Sequence, residues 1–329
     1  MLKTPALLIG LAGVLLVGAG NEVPADFRFV SDPASVPADA VVVDSRNAET
    51  CAEGAPAREE TEPRCVPIAA VTGPHGRLAS FRDIAWFLGT VGLDGSETVL
   101  VVGARERDRD AVAGLLHLGG QKTVLVWQRP INALGEGFAT VSGRVSEPAR
   151  RAVFREPMRD DRIVLKNELQ RMLAEGGVLL LDGRPAEDFW GERTTGERAG
   201  HLPGAQSLPA RALRGATPIV AADGVEPVLY GRGAVDGLAY YTAVVAGRSR
   251  PAKVYLEGFA DWAAAGLPLD AESHPDLAAA DVAATAPAPR TQISAAPDRK
   301  LLALSASVGA LLGAAAAVGT LAVIRRRKA

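Results

Sequence analysis

The chain has 329 residues, a formal net charge of −2, and 48% hydrophobic against 22% charged residues. That length allows two ordinary domains, each with its own core. The near-neutral balance, with neither basic patches nor interleaved aromatics, argues against a nucleic-acid partner, and the two cysteines and four histidines have no metal-ligand spacing, so neither metal nor cofactor is expected.

The N-terminus, "MLKTPALLIGLAGVLLVGAGNEVPADF", has one lysine, Lys3, then an uncharged apolar run ending in the small residues Gly18, Ala19 and Gly20. This is the layout of a secretory signal peptide over residues 1–19, cleaved after Ala19. The alternative is an uncleaved anchor, but at about 1.5 Å per residue the run barely spans a bilayer core. Either way the chain that follows is exported.

Residues 21–269 contain a weak internal repeat. "AVVVDSRNAETCAEG" (40–54) parallels "VLLLDGRPAEDFWGE" (178–192), each an apolar run ending in Asp-x-Arg: Asp44 and Arg46, then Asp182 and Arg184. "TVLVVGARERDRDAVAGLLHLGGQKTVLVW" (98–127) parallels "PVLYGRGAVDGLAYYTAVVAGRSRPAKVYLEG" (227–258), each reading strand, charged loop, helix, glycine, strand. Strands alternating with helices predict an α/β fold, a parallel sheet flanked by helices in each of two domains, 21–150 and 160–269.

Residues 270–300 are rich in alanine and proline and predict a flexible stalk. The segment from Leu301 to Ile324 is uncharged; as a helix it spans about 36 Å, enough to cross a bilayer. Arg325, Arg326, Arg327 and Lys328 follow in the tail 325–329, and such positive flanks stay cytoplasmic. The expected protein is therefore a single-pass cell-membrane protein whose folded domains face the periplasmic or extracytoplasmic side. Gly309 and Gly313 form a GxxxG in the span, which either marks a homodimer face or arises by chance in so small-residue-rich a helix.

The second repeat resembles the rhodanese family of sulfurtransferases. The resemblance lies in "LLLDGRPAEDFWG", in the turn "GHLPGAQSLP" (Gly200, His201, Pro203, Gly204), and in "VYLEGFADWAAAGLPL", with Trp262. The first repeat is similar only loosely, so the chain looks like a tandem member of the family, with a degenerate first copy. In that family the strand corresponding to "PVLY" is followed by a cysteine whose thiolate takes up a sulfane sulfur, in a loop whose backbone N–H groups lower the thiol pKa.

Here that position is Gly231, and Gly103 in the first repeat; neither loop, "GRGAVDG" or "GARERDRD", has Cys, Ser or Thr. No catalytic residue is therefore expected. Gly231 is read as leaving room, so that Gly231, Arg232, Gly233, Ala234, Val235 and Asp236 could cradle a small anion; against this, Arg232 and Asp236 either pair or face water. The charges of the first loop read as a solvated face. His201 reads as a hydrogen-bonding structural residue of the turn.

Cys51 and Cys65 flank an insertion, with "CVPIAAV" taking the place of "HLPGAQS". An even pair in an exported domain reads as a structural disulfide, a redox-active or sulfur-carrying pair being the other reading. The function expected is a catalytically silent, membrane-anchored rhodanese-like protein that binds a partner protein or small anion. The alternative is a thiosulfate- or mercaptopyruvate-type sulfurtransferase working through Cys51, Cys65 or a partner's thiol.

Overall fold

A computed structural model describes residues 26–58, 61–193, 198–214 and 225–270. The expected signal peptide, stalk, transmembrane helix, basic tail and GxxxG pair lie outside them. No helix among the described residues is long and apolar enough to cross a membrane.

The first half runs β1 (Phe27–Val30), β2 (Val41–Asp44), α1 (Ala48–Glu53), β3 (Ala55–Ala57), β4 (Arg64–Cys65), α2 (Phe81–Thr90), β5 (Thr98–Val102), α3 (Glu106–Leu118), β6 (Thr123–Trp127) and β7 (Ala139–Val141). The second runs α4 (Lys166–Glu175), β8 (Leu180–Asp182), α5 (Ala186–Phe189), β9 (Gln206–Ser207), β10 (Val228–Tyr230), α6 (Ala234–Arg248), β11 (Lys253–Tyr255) and α7 (Gly258–Ala264). Strands β1-β6-β5-β2-β4 form one parallel sheet and β11-β10-β8-β9 another, while β3 and β7 pair antiparallel. The apolar runs "VVVD", "TVLVV" and "TVLVW" show no polar alternation because parallel strands are covered on both faces.

The two sheets have the same order of corresponding strands. The second even has a counterpart of β1: Ile163 bridges Val254 in β11, as β1 pairs with β6. Register also corrects one alignment. Asp44 pairs with Cys65, and Asp182 with Ser207, while Val66 N donates to Asp44 O and Leu208 N to Asp182 O. "CVP" therefore takes the place of "SLP", six residues beyond the His201 turn. The turn of the second half has no counterpart at Cys65; the insertion stands there instead.

Alternate residues of the first sheet face two clusters. Val42, Leu100, Val102, Leu125 and Trp127 pack outward under the segments around Val36 and Leu134. Val43, Val99, Val101, Val124 and Val126 face a cluster that also contains Leu115 of α3, Leu238 and Val244 of α6, and Leu229 and Val254 of the second sheet. The halves thus share one core, with α3 and α6 inside it. On the far face of the second sheet, Leu169, Phe189, Phe259 and Trp262 from α4, α5 and α7 cover Leu180, Val228 and Tyr255.

The contact between α3 and α6 requires a glycine. A Cβ at Gly114 would lie 2.6 Å from Leu238 O and 2.8 Å from Thr242 Oγ1. Thr242 Oγ1 donates to Asp110 O at 2.7 Å, and Tyr241 Oη meets His117 Nδ1 at 3.1 Å. The His117 ring is stacked on Phe27 at 4.2 Å. Burial first, with Arg159 and Arg162 nearby, pushes the His117 pKa down to about 3.

Candidate functional site

Both loops that could carry chemistry leave the carboxyl ends of central strands, where such sheets place their sites. In the second half, β10 ends at Tyr230 and α6 begins at Ala234, with Gly233 as a cap that offers no side chain. Gly231 O accepts from Phe259 N at 3.0 Å and Arg232 O from Ala260 N at 2.9 Å, so α7 grips the loop by its carbonyls. Only glycine fits at Gly258: its φ is +66°, and a Cβ there would lie 2.6 Å from Gly231 O.

The space beside Gly231 is not empty, contrary to the expectation from sequence. A Cβ on it would lie 2.7 Å from Asp236 C, Asp236 Cβ and Gly237 N. The first turn of α6 fills the volume a nucleophile would need. In the first half the same end is reached by another route. A Cβ on Gly103 would lie 2.2 Å from Ser45 Oγ and 3.0 Å from Arg109 Cβ. The Ser45 hydroxyl is buried without a hydrogen-bond partner.

The charges of the two loops are engaged. Arg232 donates to Asp188 Oδ2 at 2.8 Å, and Arg193 to Asp188 Oδ1 at 2.6 Å. Burial raises the Asp188 pKa, but the hydrogen bonds from Arg193 and Arg232 outweigh it and hold the carboxyl below its ordinary value. Asp236 pairs with Arg107 of the other half. Arg232 and Asp236 do not pair with each other: each is held by a residue outside the loop. The first loop is not simply a solvated face: Arg105 is exposed, but Asp108 and Arg109 are buried. Arg109 donates to Trp127 O at 2.8 Å and pairs with Asp110.

Behind the second loop, Asp182 and Arg184 form a buried ion pair at 2.6 Å. Arg184 also donates to Gly200 O at 2.8 Å, and its guanidinium lies 3.8 Å from the centre of the Phe259 ring. Tyr230 Oη donates to Asp182 Oδ2 at 2.6 Å. Burial, then the neighbouring Asp182 charge, raises the Tyr230 pKa well above its ordinary value. Asp44 and Arg46 repeat this arrangement, with Arg46 donating to Gly54 O at 2.5 Å.

His201 is buried, stacked 3.7 Å from Phe189, with Nδ1 3.0 Å from Phe189 O. Its backbone exchanges two hydrogen bonds with Asp270, whose carboxylate also accepts from Gly204 N. Gly200 and Gly204 have positive φ of 103° and 70°, which glycine adopts readily. Trp262 Nε1 donates to Pro268 O at 2.8 Å. These residues hold one another by packing and hydrogen bonds, and none of them lines the cleft beside the Gly231 loop.

A family model described as a rhodanese-like domain matches residues 165–265. Those residues are a rhodanese-like domain. No curated protein matches the chain significantly. A probable thiosulfate sulfurtransferase is similar in structure, with 21% identity and a TM-score of 0.51, covering 71% of this chain and 99% of that one. EanB variants resemble it too: one in complex with hercynine, and one with ergothioneine covalently linked to a persulfide cysteine. Each has 18% identity and a TM-score of 0.56, over 71% of this chain and 64% of that one. The chain thus spans under two thirds of EanB in those matches. At these identities the likeness is one of fold.

A cleft of about 940 Å³ separates the Gly231 loop of the rhodanese-like domain from the first turn of α3. Arg107, Asp110, Arg232, Asp236 and Tyr240 are among its lining residues. Cys51 and Cys65 are not: they form a disulfide, both sulfurs buried, with Gly143 packed over them. Among the described residues, no group of His, Cys, Asp and Glu side chains is placed to hold a metal ion. Sequence reasoning did not reach Ser45, Asp188, Tyr230 or Arg107. Only Tyr230 had a signal, as the last residue of the strand before the loop.

Proposed function

We propose that the chain is a membrane-anchored, extracytoplasmic protein with two rhodanese-like halves, and that it binds a ligand or partner in the cleft without transferring sulfur. One observation carries this reading: at Gly231 and at Gly103, the volume a nucleophilic side chain needs is already filled, by the α6 backbone and by Ser45. The matching strand order of the two sheets supports a tandem arrangement. Anchoring rests on the apolar, positively flanked segment 301–324. Of the occupants considered, a small inorganic anion at the loop is disfavoured because Arg232 is already held by Asp188.

The second reading, sulfur transfer, has support from the fold of its structural neighbours. It requires reduced Cys51 or Cys65, or a thiol supplied by a partner. The deciding experiment measures sulfur transfer from thiosulfate and from mercaptopyruvate to cyanide by the purified protein and its Cys51→Ser and Cys65→Ser variants. The binding reading expects no activity in any of them. Turnover by the wild type that either substitution removes would establish the sulfurtransferase instead. Extraction of the protein from membranes by detergent but not by carbonate, and its release on deletion of residues 301–329, test the anchor.

A further inference from the structure

We propose that residues 142–145 form a strap that must lift before the Cys51–Cys65 disulfide can exchange with a thiol. The strap lies on the first half, none of its residues lines the cleft, and it works whatever the cleft binds. Both cysteines are fully buried. Gly143 lies over them: a Cβ there would stand 2.6 Å from Cys51 Sγ and 2.7 Å from Cys65 Sγ. Only a residue without a side chain lets the backbone follow the two sulfurs this closely. The adjoining Val141 and Ser142 are exposed, so a single layer of chain separates the sulfurs from water on this side.

Four hydrogen bonds tie the strap to both arms of the cross-link. On the α1 side, Ser142 Oγ donates to Ala52 O at 2.6 Å and Gly143 N to Cys51 O at 3.1 Å. On the β4 side, Arg144 N donates to Pro63 O and Cys65 N to Arg144 O, each at 2.8 Å. These last two make Arg144 a parallel bridge to Arg64 at the edge of the first sheet. Arg144 and Arg64 also share the Glu62 carboxylate. Both ends are held: β7 pairs with β3 up to Val141, and beyond Val145, which packs on the cysteines, Ser146 Oγ meets Thr90 Oγ1 of α2 at 2.8 Å.

Exchange begins when a thiolate attacks one sulfur, forms a mixed disulfide with it and expels the other sulfur as a thiolate. The chain has only these two cysteines, so the attacking thiolate comes from outside and must reach a buried sulfur. Local opening gives such access far more often than global unfolding does. Lifting the strap breaks the four bonds and leaves β1, β6, β5, β2 and β4 paired. Sulfur transfer through Cys51 or Cys65 would need the same opening, because the pair must first be reduced.

The test reduces the full-length protein with dithiothreitol in an uncharged maltoside detergent, trapping new thiols with N-ethylmaleimide and counting them by intact mass. One dithiothreitol sulfur attacks and the other resolves the mixed disulfide, leaving two cysteine thiols and the cyclic oxidised reagent. Reduction is expected to be at least about a hundredfold slower than in the same chain unfolded in guanidinium. Gly143→Ala, whose methyl group cannot lie over the sulfurs, should speed it by about tenfold or more. Ser142→Ala, which loses one of the four bonds, should speed it by about threefold to tenfold. Tyr230→Phe, which weakens the second half, should leave the rate unchanged, because the strap opens without that half unfolding. Should Gly143→Ala fail to fold, Ser142→Ala takes its place. Wild-type reduction at the unfolded rate, a rate unmoved by Gly143→Ala, or equal acceleration by Tyr230→Phe overturns the proposal.

Discussion

Gly231→Ala adds one methyl group where the structure has least space for it. The new carbon would stand 2.7 Å from three atoms of the first turn of α6, two of them backbone. Ordinary van der Waals contact between carbons needs about 3.5–4.0 Å, so the helix start or the loop must move by about 1 Å. The loop cannot retreat easily, because α7 holds its Gly231 and Arg232 carbonyls. Overpacking of this kind costs about 1–3 kcal/mol, and the rigid neighbours place this case at about 2–3 kcal/mol. For a folded region of this size the melting temperature should drop by roughly 4–12 °C. Gly233→Ser is the control: its φ of −160° is extended backbone, the nearest atom to its Cβ is 4.0 Å away, and serine favours a helix cap. It should be neutral or mildly stabilising. Denaturant unfolding of the three proteins gives the comparison, and Gly231→Cys, assayed for thiosulfate:cyanide sulfur transfer, extends it. Gly231→Cys is expected to be destabilised at least as much and inactive. An unperturbed Gly231→Ala, or an active Gly231→Cys, would refute the claim that the α6 backbone occupies the nucleophile's space.

Three further outcomes are expected. Replacing both Cys51 and Cys65 by serine opens a link with a sequence separation of 14, and should lower stability by about 3 kcal/mol in denaturant titrations. Tyr230→Phe leaves the buried Asp182 carboxylate one donor short, costing about 1.5–3 kcal/mol by the same measurement. The depressed pKa of His117 gives a pH signature: the unfolded chain takes up a proton near 6.5, the folded one only near 3, so stability is full above about pH 6.5 and falls as the medium is acidified. Between pH 6.5 and 4.5 the loss is about 2–3 kcal/mol. His117→Phe should flatten that slope, and an unchanged slope would show that another group carries it.

What the sequence makes legible follows from the physics of each element. Parallel strands buried on both faces appear as uninterrupted apolar runs, so β2, β5, β6 and β10 stand out. The Asp-x-Arg repeat is equally visible, because the arginine folds back on its own aspartate two residues away. The two-residue β4 has no such pattern, so the sequence aligns Cys65 with His201 where the register sets it against Ser207, six residues on. The filled space at Gly231 depends on where α6 starts relative to the strand, which no local motif records. Arg107 and Asp236 are 129 residues apart, and nothing in either loop announces the other. The paired cysteines, by contrast, needed only their even number and the expectation of export to be read as the disulfide that the structure contains.

Gly114 has a consequence beyond packing. Because its missing side chain lets α3 and α6 touch through backbone atoms, and both helices contribute residues to the cleft, the gap between the halves is set by a contact that cannot swing as a side chain does. Widening the cleft would mean prising that helix pair apart and exposing the shared core. The cleft therefore behaves as a mould of fixed calibre rather than a pair of jaws. It can exclude a guest for being too large, but cannot close to reward one that fits.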